Sequence, residues 1–331
     1  MATLSVGAVT AVRSHVASEA ADGSGDKDQA LDRTTAADPQ YGLRDVVAIT
    51  GLTKETVYAW ERRYAIVEPN RDEQGARTYA DHEVYRLQLL KQCVDAGHRI
   101  GNLVSLELGA LRGLAKGDEA AGSIDLDNLV RAVESLDVNF IEHWLPIHFS
   151  ALGPSRFARD VVVPLMTAVG TCVETGRASI AGEHLISSAV RTLLGQALRL
   201  SKRPGAGPTV LFTTPSGELH ELGALVAAVC AQQLGAHAIY MGPQLPAREI
   251  WRASSKLGSR LVCMSTMSLP RSELEREVPE IRLALPHGTE LWLGGSAATA
   301  MGAPLKGGLL IYEDMLEFED AIKRFIVRAG R

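Results

Sequence analysis

The stretch 208–223, PTVLFTTPSGELHELG, constrains the fold more than any other part of the chain. A short apolar run at 210–213 stops at Pro-Ser-Gly, and a polar loop with Glu218 and His220 then leads into an apolar helix that opens at Gly223. This order predicts a buried parallel strand that feeds a helix, with the loop at the carboxyl end of the strand. Open α/β sheets bind their ligands at that edge.

His220 is the residue of this loop that can carry ligand chemistry. Its imidazole can ligate the metal of a flat cofactor, while the neighbouring carboxylate of Glu218 holds the other ring nitrogen and fixes the tautomer. Gly223 permits a close approach because it has no side chain. Taken alone, the motif leaves a second interpretation open, in which His220 is a surface histidine of an ordinary βα loop.

Two further motifs follow at a spacing that narrows the choice. The sequence has Glu-x-His-x-x-Gly at 218–223, Ser-Thr-Met at 265–267 and Gly-Gly at 294–295. It resembles the cobalamin-binding domain family, whose pattern is Asp-x-His-x-x-Gly, Ser-x-Leu and Gly-Gly with matching gaps. Glu218 stands for the family's Asp and Met267 for its Leu, and both replacements keep the chemistry.

The resemblance implies a cofactor and a set of ligand residues. The cofactor would be cobalamin, as adenosylcobalamin or another corrinoid, and His220 would replace the cofactor's own lower base on cobalt. The slot for the nucleotide tail would be lined by Ser265, Gly294 and Gly295.

Composition sets the class of protein. The chain has 331 residues, a net charge of −5 and 46% hydrophobic residues, which suits two or three soluble domains. The four cysteines (Cys93, Cys172, Cys230 and Cys263) lie far apart without a CxxC pair, which indicates buried thiols in a reducing compartment. Neither a membrane span nor a secretory signal is recognisable, so we expect a cytoplasmic protein with no membrane partner.

The first part of the chain divides into a tail and a helical region. Residues 1–40 have few large apolar side chains, so we expect a disordered tail. Residues 41–110 predict a helix ended by Gly51, a second helix capped by Thr53, a Gly-centred hairpin near Gly75 and a third helix from Asp81. Helix, glycine-containing turn and second helix make a helix-turn-helix unit.

This region resembles the DNA-binding domain of the MerR family of transcription regulators. The resemblance runs through LTKETVYAWERRY, the P-x-R turn at 69–71, the hairpin arm with Arg77 and Tyr79, and GHRIGNLVSL at 97–106. It implies that the second helix enters the major groove of double-stranded DNA and that the hairpin acts as a wing. The candidate phosphate or base contacts are Lys54, Tyr58, Arg62, Arg63, Arg71, Arg77 and Tyr79.

The charge of this region leaves a second interpretation open. Residues 41–110 contain nine Lys or Arg and ten Asp or Glu, so the region is not basic overall and can also be a protein-interaction module. The arginines cluster on the second helix and the wing, which favours DNA. Because phosphate contacts dominate affinity, one such weakly charged copy would bind poorly, and we expect a homo-oligomer, a dimer or tetramer.

After a predicted linker at 107–123, residues 124–202 show helical periodicity typical of a four-helix bundle. In cobalamin proteins this position holds a helical cap. The three-part order resembles the light-responsive, cobalamin-dependent repressors of carotenoid genes, whose cap carries a Trp-His pair and then a Glu-His pair. Glu183-His184 matches the second pair, whereas Val173 and Glu174 occupy the first. This departure puts light sensing by adenosylcobalamin in doubt, while cobalamin binding stays expected.

Residues 207–331 alternate strands and helices, which predicts a doubly wound parallel sheet of five strands. The predicted fold is therefore multidomain α and α/β: an N-terminal winged helix-turn-helix, a middle four-helix bundle and a C-terminal Rossmann-like cobalamin-binding sheet. We expect a DNA-binding transcription regulator, a repressor controlled by a corrinoid, and not an enzyme. The alternatives are a regulator that senses haem or a bilin in a degenerate cobalamin slot, and a corrinoid methyl carrier.

Overall fold

A computed structural model describes residues 39–116, 124–201, 207–300, 309–312 and 314–330. The predicted tail at 1–40 lies outside the described residues except for its last two positions, and residues 202–206, which follow the bundle, lie outside them as well. In the described ranges no helix is long and apolar enough to cross a lipid bilayer.

The N-terminal region is a winged helix-turn-helix. Its elements are β1 (Gln40–Gly42), α1 (Leu43–Thr50), α2 (Lys54–Tyr64), β2 (Asn70–Arg71), β3 (Arg77–Ala80), α3 (Asp81–Asp95) and α4 (Leu108–Lys116). The three strands form an antiparallel sheet in the order β1-β3-β2. The Thr53 hydroxyl caps α2 by accepting from the backbone N–H of Thr56, and Val57 and Trp60 bury the inner face of that helix.

The prediction of a linker over 107–123 is wrong for its first half. Residues 108–116 form α4, in which Leu111 is fully buried and its carbonyl lies 3.3 Å from the Sγ of Cys93 on α3. Gly109 and Gly113 gave the sequence the look of a linker. The leucines at 108, 111 and 114 nevertheless share one helix face and pack against the N-terminal core, and that burial outweighs the low helix propensity of glycine.

The middle region is the predicted four-helix bundle. It comprises α5 (Asp127–Ser135), α6 (Val138–Leu152), a third helix of three consecutive segments and α9 (Ile180–Leu200). The third helix starts at Pro154 as α7 (Pro154–Arg156), passes through a π-helical turn (Phe157–Val162) and continues as α8 (Val163–Glu174). The bundle shares one hydrophobic core with a face of the C-terminal sheet.

The C-terminal region is a parallel sheet with helices on both faces, as predicted. Its strands are β4 (Thr209–Thr213), β5 (His237–Tyr240), β6 (Leu261–Ser265), β7 (Glu290–Gly294) and β8 (Leu309–Tyr312), in the order β5-β4-β6-β7-β8. Its helices are α10 (Leu222–Gln233), α11 (Ala247–Leu257), α12 (Arg271–Ala284), the short α13 (Ser296–Thr299) and α14 (Met315–Ala329). The strand order reverses beside β4, so the loop after β4 lies at a topological switch point.

The prediction that the cysteines are buried thiols is confirmed. All four thiols are free and buried. Burial is the largest influence on them and raises the pKa of the Cys230 thiol to about 12, so this sulfur stays protonated and inert.

Candidate functional site

The loop between β4 and α10 places His220 at the carboxyl edge of the sheet. Pro215 forms an isolated parallel bridge with Leu245, which extends the β4–β5 edge, and the backbone N–H of Glu218 then bonds to the Pro215 carbonyl to close a turn. In this turn two nearby side chains differ in their exposure to solvent. The side chain of Glu218 is fully buried, while that of His220 keeps 59% of its surface exposed.

Glu218 is the anchor of this edge. Its Oε2 accepts from the backbone N–H groups of Met267 and Ser268, each at 2.7 Å, and of Leu269 at 3.3 Å. Its Oε1 accepts from the backbone N–H of His220 at 2.9 Å and from the Ser268 hydroxyl at 3.1 Å. One carboxylate therefore ties the β4 loop to the loop that follows β6.

These bonds determine the charge of Glu218. Burial by itself raises the pKa of this carboxyl, but the backbone donors of Ser268 and His220, the imidazole of His220 and the backbone of Met267 outweigh burial and lower the pKa to about 2. The side chain is thus a carboxylate throughout the physiological range.

The carboxylate orients the imidazole. Nδ1 of His220 lies 2.7 Å from Oε1 of Glu218 and 3.1 Å from the Ser268 hydroxyl. Since an anionic oxygen requires a donor, the proton sits on Nδ1, which leaves the lone pair of Nε2 as the ligand atom. The carboxylate and imidazole predicted from the sequence are thus in contact. Ser268 was missed, because a serine in the loop after β6 carries no signal by itself.

The surroundings of His220 suit a flat apolar ligand. Leu219 beside it is 65% exposed, and Met241 and Met267, which follow the neighbouring strands β5 and β6, are 39% and 45% exposed. Among the described residues no group of three or more His, Cys, Asp or Glu side chains could hold a metal ion. Nε2 of His220 is a potential metal ligand beside these apolar side chains.

Gly223 and Ser265 meet directly. A Cβ on Gly223 would lie 2.4 Å from the Ser265 Oγ, and Ser265 itself is buried. The close approach that the sequence indicated at Gly223 is therefore made by a protein side chain from β6.

The two glycines after β7 differ. Gly295 has φ +99°, and a Cβ there would lie 2.3 Å from the Thr266 carbonyl oxygen, so the fold itself requires glycine. At Gly294 the nearest atom to an added Cβ is the Tyr312 carbonyl oxygen at 3.7 Å, an ordinary contact. Gly294 is thus the one of the pair at which an added Cβ meets no close protein atom.

The bundle reaches the His220 loop through a polar link that the sequence did not indicate. Arg191 of α9 pairs with Glu221, whose other carboxylate oxygen accepts from the Tyr240 hydroxyl at the end of β5. Thirty residues separate Arg191 from Glu221, so only the tertiary fold brings them together.

The bundle residues named from the sequence lie at helix ends. Glu183 and His184 stand in the first turns of α9, with His184 74% exposed and its Nε2 4.0 Å from the Glu183 carboxylate. Val173 and Glu174 end α8, where Val173 packs against the core and Glu174 is exposed. His184 therefore has little to restrain it within the bundle.

The helix-turn-helix presents a cationic surface on α2. Lys54, Arg62 and Arg63 are exposed, and Lys54 and Arg77 lie over the Tyr58 ring, with ring-centroid distances of 5.8 and 4.8 Å. In the wing, Arg71 donates to the Gly75 carbonyl at 2.8 Å, and Arg77 pairs with Glu61 at 3.4 Å. Arg63 lies over the Tyr64 ring, 5.2 Å from its centroid, and both Arg62 and Arg63 keep exposed side chains.

The prediction for Tyr79 needs correction. Its side chain is fully buried, and its hydroxyl donates to the Glu61 carboxylate on α2, so it braces the wing against the helix instead of facing a phosphate. The physical reason is the place of Tyr79 in β3: it pairs with the buried Tyr41 of β1, and Arg77, two residues earlier on the same face of the strand, also contacts Glu61.

Together, the winged helix-turn-helix, the helical bundle and the sheet edge with its free imidazole define the class of DNA-binding regulators that carry a ligand-binding module. A MerR HTH family regulatory protein model matches residues 41–106, and a B12 binding domain model matches residues 125–197, the bundle.

Relatives agree with this class. The chain is 31% identical over 274 residues to the HTH-type transcriptional repressor CarH of Myxococcus xanthus, covering 79% of this chain and 91% of the relative. It is 24% identical over 224 residues to the repressor CarA of the same organism, covering 67% and 75%. The chain belongs to the CarH family of MerR-type regulators with a B12-binding domain, and it is a DNA-binding transcription regulator controlled by a corrinoid.

Among solved structures, the chain is similar to the monomethylamine corrinoid protein of Methanosarcina barkeri, at 14% identity and a TM-score of 0.43. That match covers 60% of this chain and 96% of the other.

Proposed function

We propose that the corrinoid is cobalamin, bound with its own lower base displaced and with Nε2 of His220 as the protein ligand of cobalt. When bound, the cofactor supplies a metal centre that takes one imidazole nitrogen. The observation that carries the proposal is the contact between Nδ1 of His220 and the buried Glu218 carboxylate, which leaves Nε2 as a free lone pair at an exposed, apolar rim.

The other residues of the edge would hold and shape the slot. Glu218 keeps the imidazole in one tautomer and one orientation, because its second oxygen is fixed by the backbone of 267–269. Gly294 leaves room for the nucleotide tail beside the buried Ser265. Glu183 and His184 would face the cofactor from the bundle, across the link that Arg191 makes to the His220 loop.

We propose adenosylcobalamin as the first form of the cofactor to test. Position 174 is where this chain differs from the family that it resembles. Glu174 stands where the resemblance expects histidine, and a carboxylate offers no imidazole nitrogen there. We therefore propose that residue 174 would not supply a nitrogen ligand to a bound cobalt centre, in darkness or after light.

We further propose that the protein is a repressor that acts as a dimer or tetramer. The described DNA surface of one copy has few free cations, so several copies must engage together for tight binding. The cofactor would change DNA affinity by favouring one assembly over another, which is ordinary linkage.

The direct test is electron paramagnetic resonance of cob(II)alamin bound to protein grown with ¹⁵N-histidine. Ligation by His220 changes the superhyperfine triplets of a ¹⁴N ligand into doublets, whereas retention of the cofactor's own base leaves triplets and overturns the proposal. His220→Ala should remove the doublets. Visible spectra of protein reconstituted with adenosylcobalamin, taken in darkness and after green light, test the proposal for position 174. Haem or a bilin in place of corrin would appear in the spectrum of the protein as purified.

A further inference from the structure

Helix α14 has two faces of different chemistry. Phe318, Ile322 and Phe325 belong to the core under the sheet, where the two phenylalanine rings lie edge-on to Trp292. A second line of charged side chains, three or four residues apart along the helix, faces the helix-turn-helix. This line, which we call the α14 clamp, consists of Glu317, Asp320, Arg324 and Arg328.

Arg324 is the centre of the α14 clamp. Its Nε donates to Oδ1 of Asp81 at 3.1 Å, its Nη1 donates to Oε1 of Gln88 at 2.6 Å, and its guanidinium lies 4.8 Å from the centroid of the Tyr85 ring. All three partners stand on α3. Because Arg324 is only 6% exposed, these contacts are made away from water, where direction and charge matter most.

The other clamp residues extend the contact along the helix-turn-helix. Glu317 pairs with Arg112 of α4 at 2.7 Å, and Asp320 accepts from Gln92 of α3 at 2.8 Å. Arg328 donates at 3.0 Å to the hydroxyl of the buried Tyr41, which itself donates to Asp81 at 2.7 Å. Asp81 thus receives donors from both Arg324 and Tyr41.

The contact between α14 and the helix-turn-helix is polar, and each of the two parts has its own hydrophobic core. The helix-turn-helix buries its own cluster around Val46, Leu87 and Leu90. Within the described part of the chain, Val327 is the apolar side chain of α14 that packs against that cluster. Fixed orientation therefore comes from the directed hydrogen bonds and ion pairs of the α14 clamp, and removal of the clamp leaves the core of the helix-turn-helix in place.

The clamp and the DNA surface use different sides of the helix-turn-helix. The α14 clamp engages Tyr41, α3 and α4, whereas Lys54, Arg62 and Arg63 on α2 stay exposed. The docked arrangement is therefore compatible with DNA contact.

We propose that Arg324 is a positioning residue for DNA recognition. It holds the winged helix-turn-helix in one orientation on the corrinoid-binding part of the chain, so that a change in assembly geometry is transmitted to the direction in which α2 points. The proposal depends neither on which corrinoid binds nor on how cobalt is ligated.

The test is a distance measurement by pulsed dipolar spectroscopy on the full chain. Spin labels go on Glu55→Cys of α2 and Lys256→Cys of α11, two exposed positions on opposite sides of the contact between α14 and the helix-turn-helix. The four native cysteines are buried and stay unlabelled in the folded protein. Mixing with excess unlabelled protein leaves most assemblies with at most one labelled chain. The measured distances therefore come from the two labels of one chain. We expect one narrow distance peak for the otherwise unchanged protein.

Arg324→Ala should lose that peak and give a broad distribution, with Arg324→Lys in between because it keeps the charge but not the fork geometry. The matched control is Arg276→Ala, since Arg276 is exposed and pairs within α12 at Glu277. A narrow peak that survives in folded Arg324→Ala, or a broad distribution in the otherwise unchanged protein, overturns the proposal.

A second pair of substitutions tests the proposal even if Arg324→Ala does not fold. Glu317 and Arg112 are partly exposed, so each tolerates exchange better than Arg324. Glu317→Arg and Arg112→Glu should each broaden the distance distribution, and the double exchange should restore a narrower one. Failure of the double exchange to narrow the distribution, with circular dichroism showing intact helices, contradicts the proposal.

Discussion

Nδ1 of His220 lies 2.7 Å from Oε1 of Glu218, a carboxylate with no solvent exposure that is itself fixed by backbone N–H groups from the loop after β6. This contact gives an exposed loop histidine one tautomer and one direction. It also makes the orientation of His220 depend on a second strand of the sheet.

The contact predicts the effect of Glu218→Gln. An amide keeps the shape but loses the charge, and its NH₂ group faces backbone donors, so the imidazole is held less firmly. We expect cobalamin affinity to fall by about 10- to 100-fold, as for other residues that orient a metal ligand. Titration followed by visible absorbance measures the change. Glu280→Gln, at an exposed position of α12, should bind like the unchanged protein, and equal loss in both variants would contradict the assigned role.

The two glycines after β7 predict opposite outcomes for the same substitution. Gly295→Ala places a Cβ against the Thr266 carbonyl at a φ of +99°, and we expect it to destabilise the fold by roughly 1–3 kcal/mol. Gly294→Ala meets only an ordinary contact, so stability should hold while cobalamin affinity falls. Thermal unfolding without cofactor, together with cofactor titration, separates the two. Normal cofactor affinity in Gly294→Ala would show that Gly294 does not line the cofactor slot.

The surface of α2 predicts the salt dependence of DNA binding. Arg62→Ala or Arg63→Ala should weaken binding and lower the slope of log affinity against log salt by about 0.9 for each phosphate that the protein no longer neutralises. Fluorescence anisotropy over a salt series gives the slope. Tyr79→Phe is the matched control, because its hydroxyl bonds to Glu61 inside the protein and should leave the slope unchanged. A slope that falls with Tyr79→Phe would show that the Tyr79 hydroxyl contacts DNA.

Three tyrosines, of which Tyr41 and Tyr79 are buried and Tyr240 is partly buried, predict loss of stability at alkaline pH. Burial, and then the carboxylates of Asp81, Glu61 and Glu221 respectively, raise the pKa values of Tyr41, Tyr79 and Tyr240 above their usual value. The folded state therefore keeps protons that the unfolded state loses near pH 10, so the free energy of unfolding falls as the pH rises above about 10.

Phenolate absorbance against pH checks this directly. Ionisation of these three groups should coincide with the loss of secondary structure seen by circular dichroism. Ionisation at an ordinary phenol pKa, while the protein is still folded, would show that their hydroxyls are not enclosed as described.

Much of the fold followed from the sequence because local patterns carried it. Thr53 and Gly51 mark the start of α2 and the end of α1 by capping chemistry, and the apolar runs bounded by turns predicted all five parallel strands. The strand β1 was missed, since three residues beside a helix start give no period to detect. Helix α4 was taken for a linker because its glycines masked a single buried face.

The candidate site also has a part that the sequence predicted and a part that it did not. The spacing of Glu218, His220 and Gly223 put a carboxylate and an imidazole on one loop, and local geometry was enough to bring them into contact. Nothing local indicated Ser268, or the link from Arg191 through Glu221 to Tyr240. Those contacts join residues far apart in the chain.

The sequence by itself determined the order of the three regions, the type of most elements and the placing of Glu218 and His220 together on one loop, because capping, periodicity and motif spacing act over short distances. The tertiary structure alone decided that Tyr79 faces inward, that Gly223 makes room for Ser265, and that Arg324 grips α3 from the far end of the chain. These outcomes depend on which surfaces pack together, and burial and directed hydrogen bonds between distant residues are settled only when the whole chain has folded.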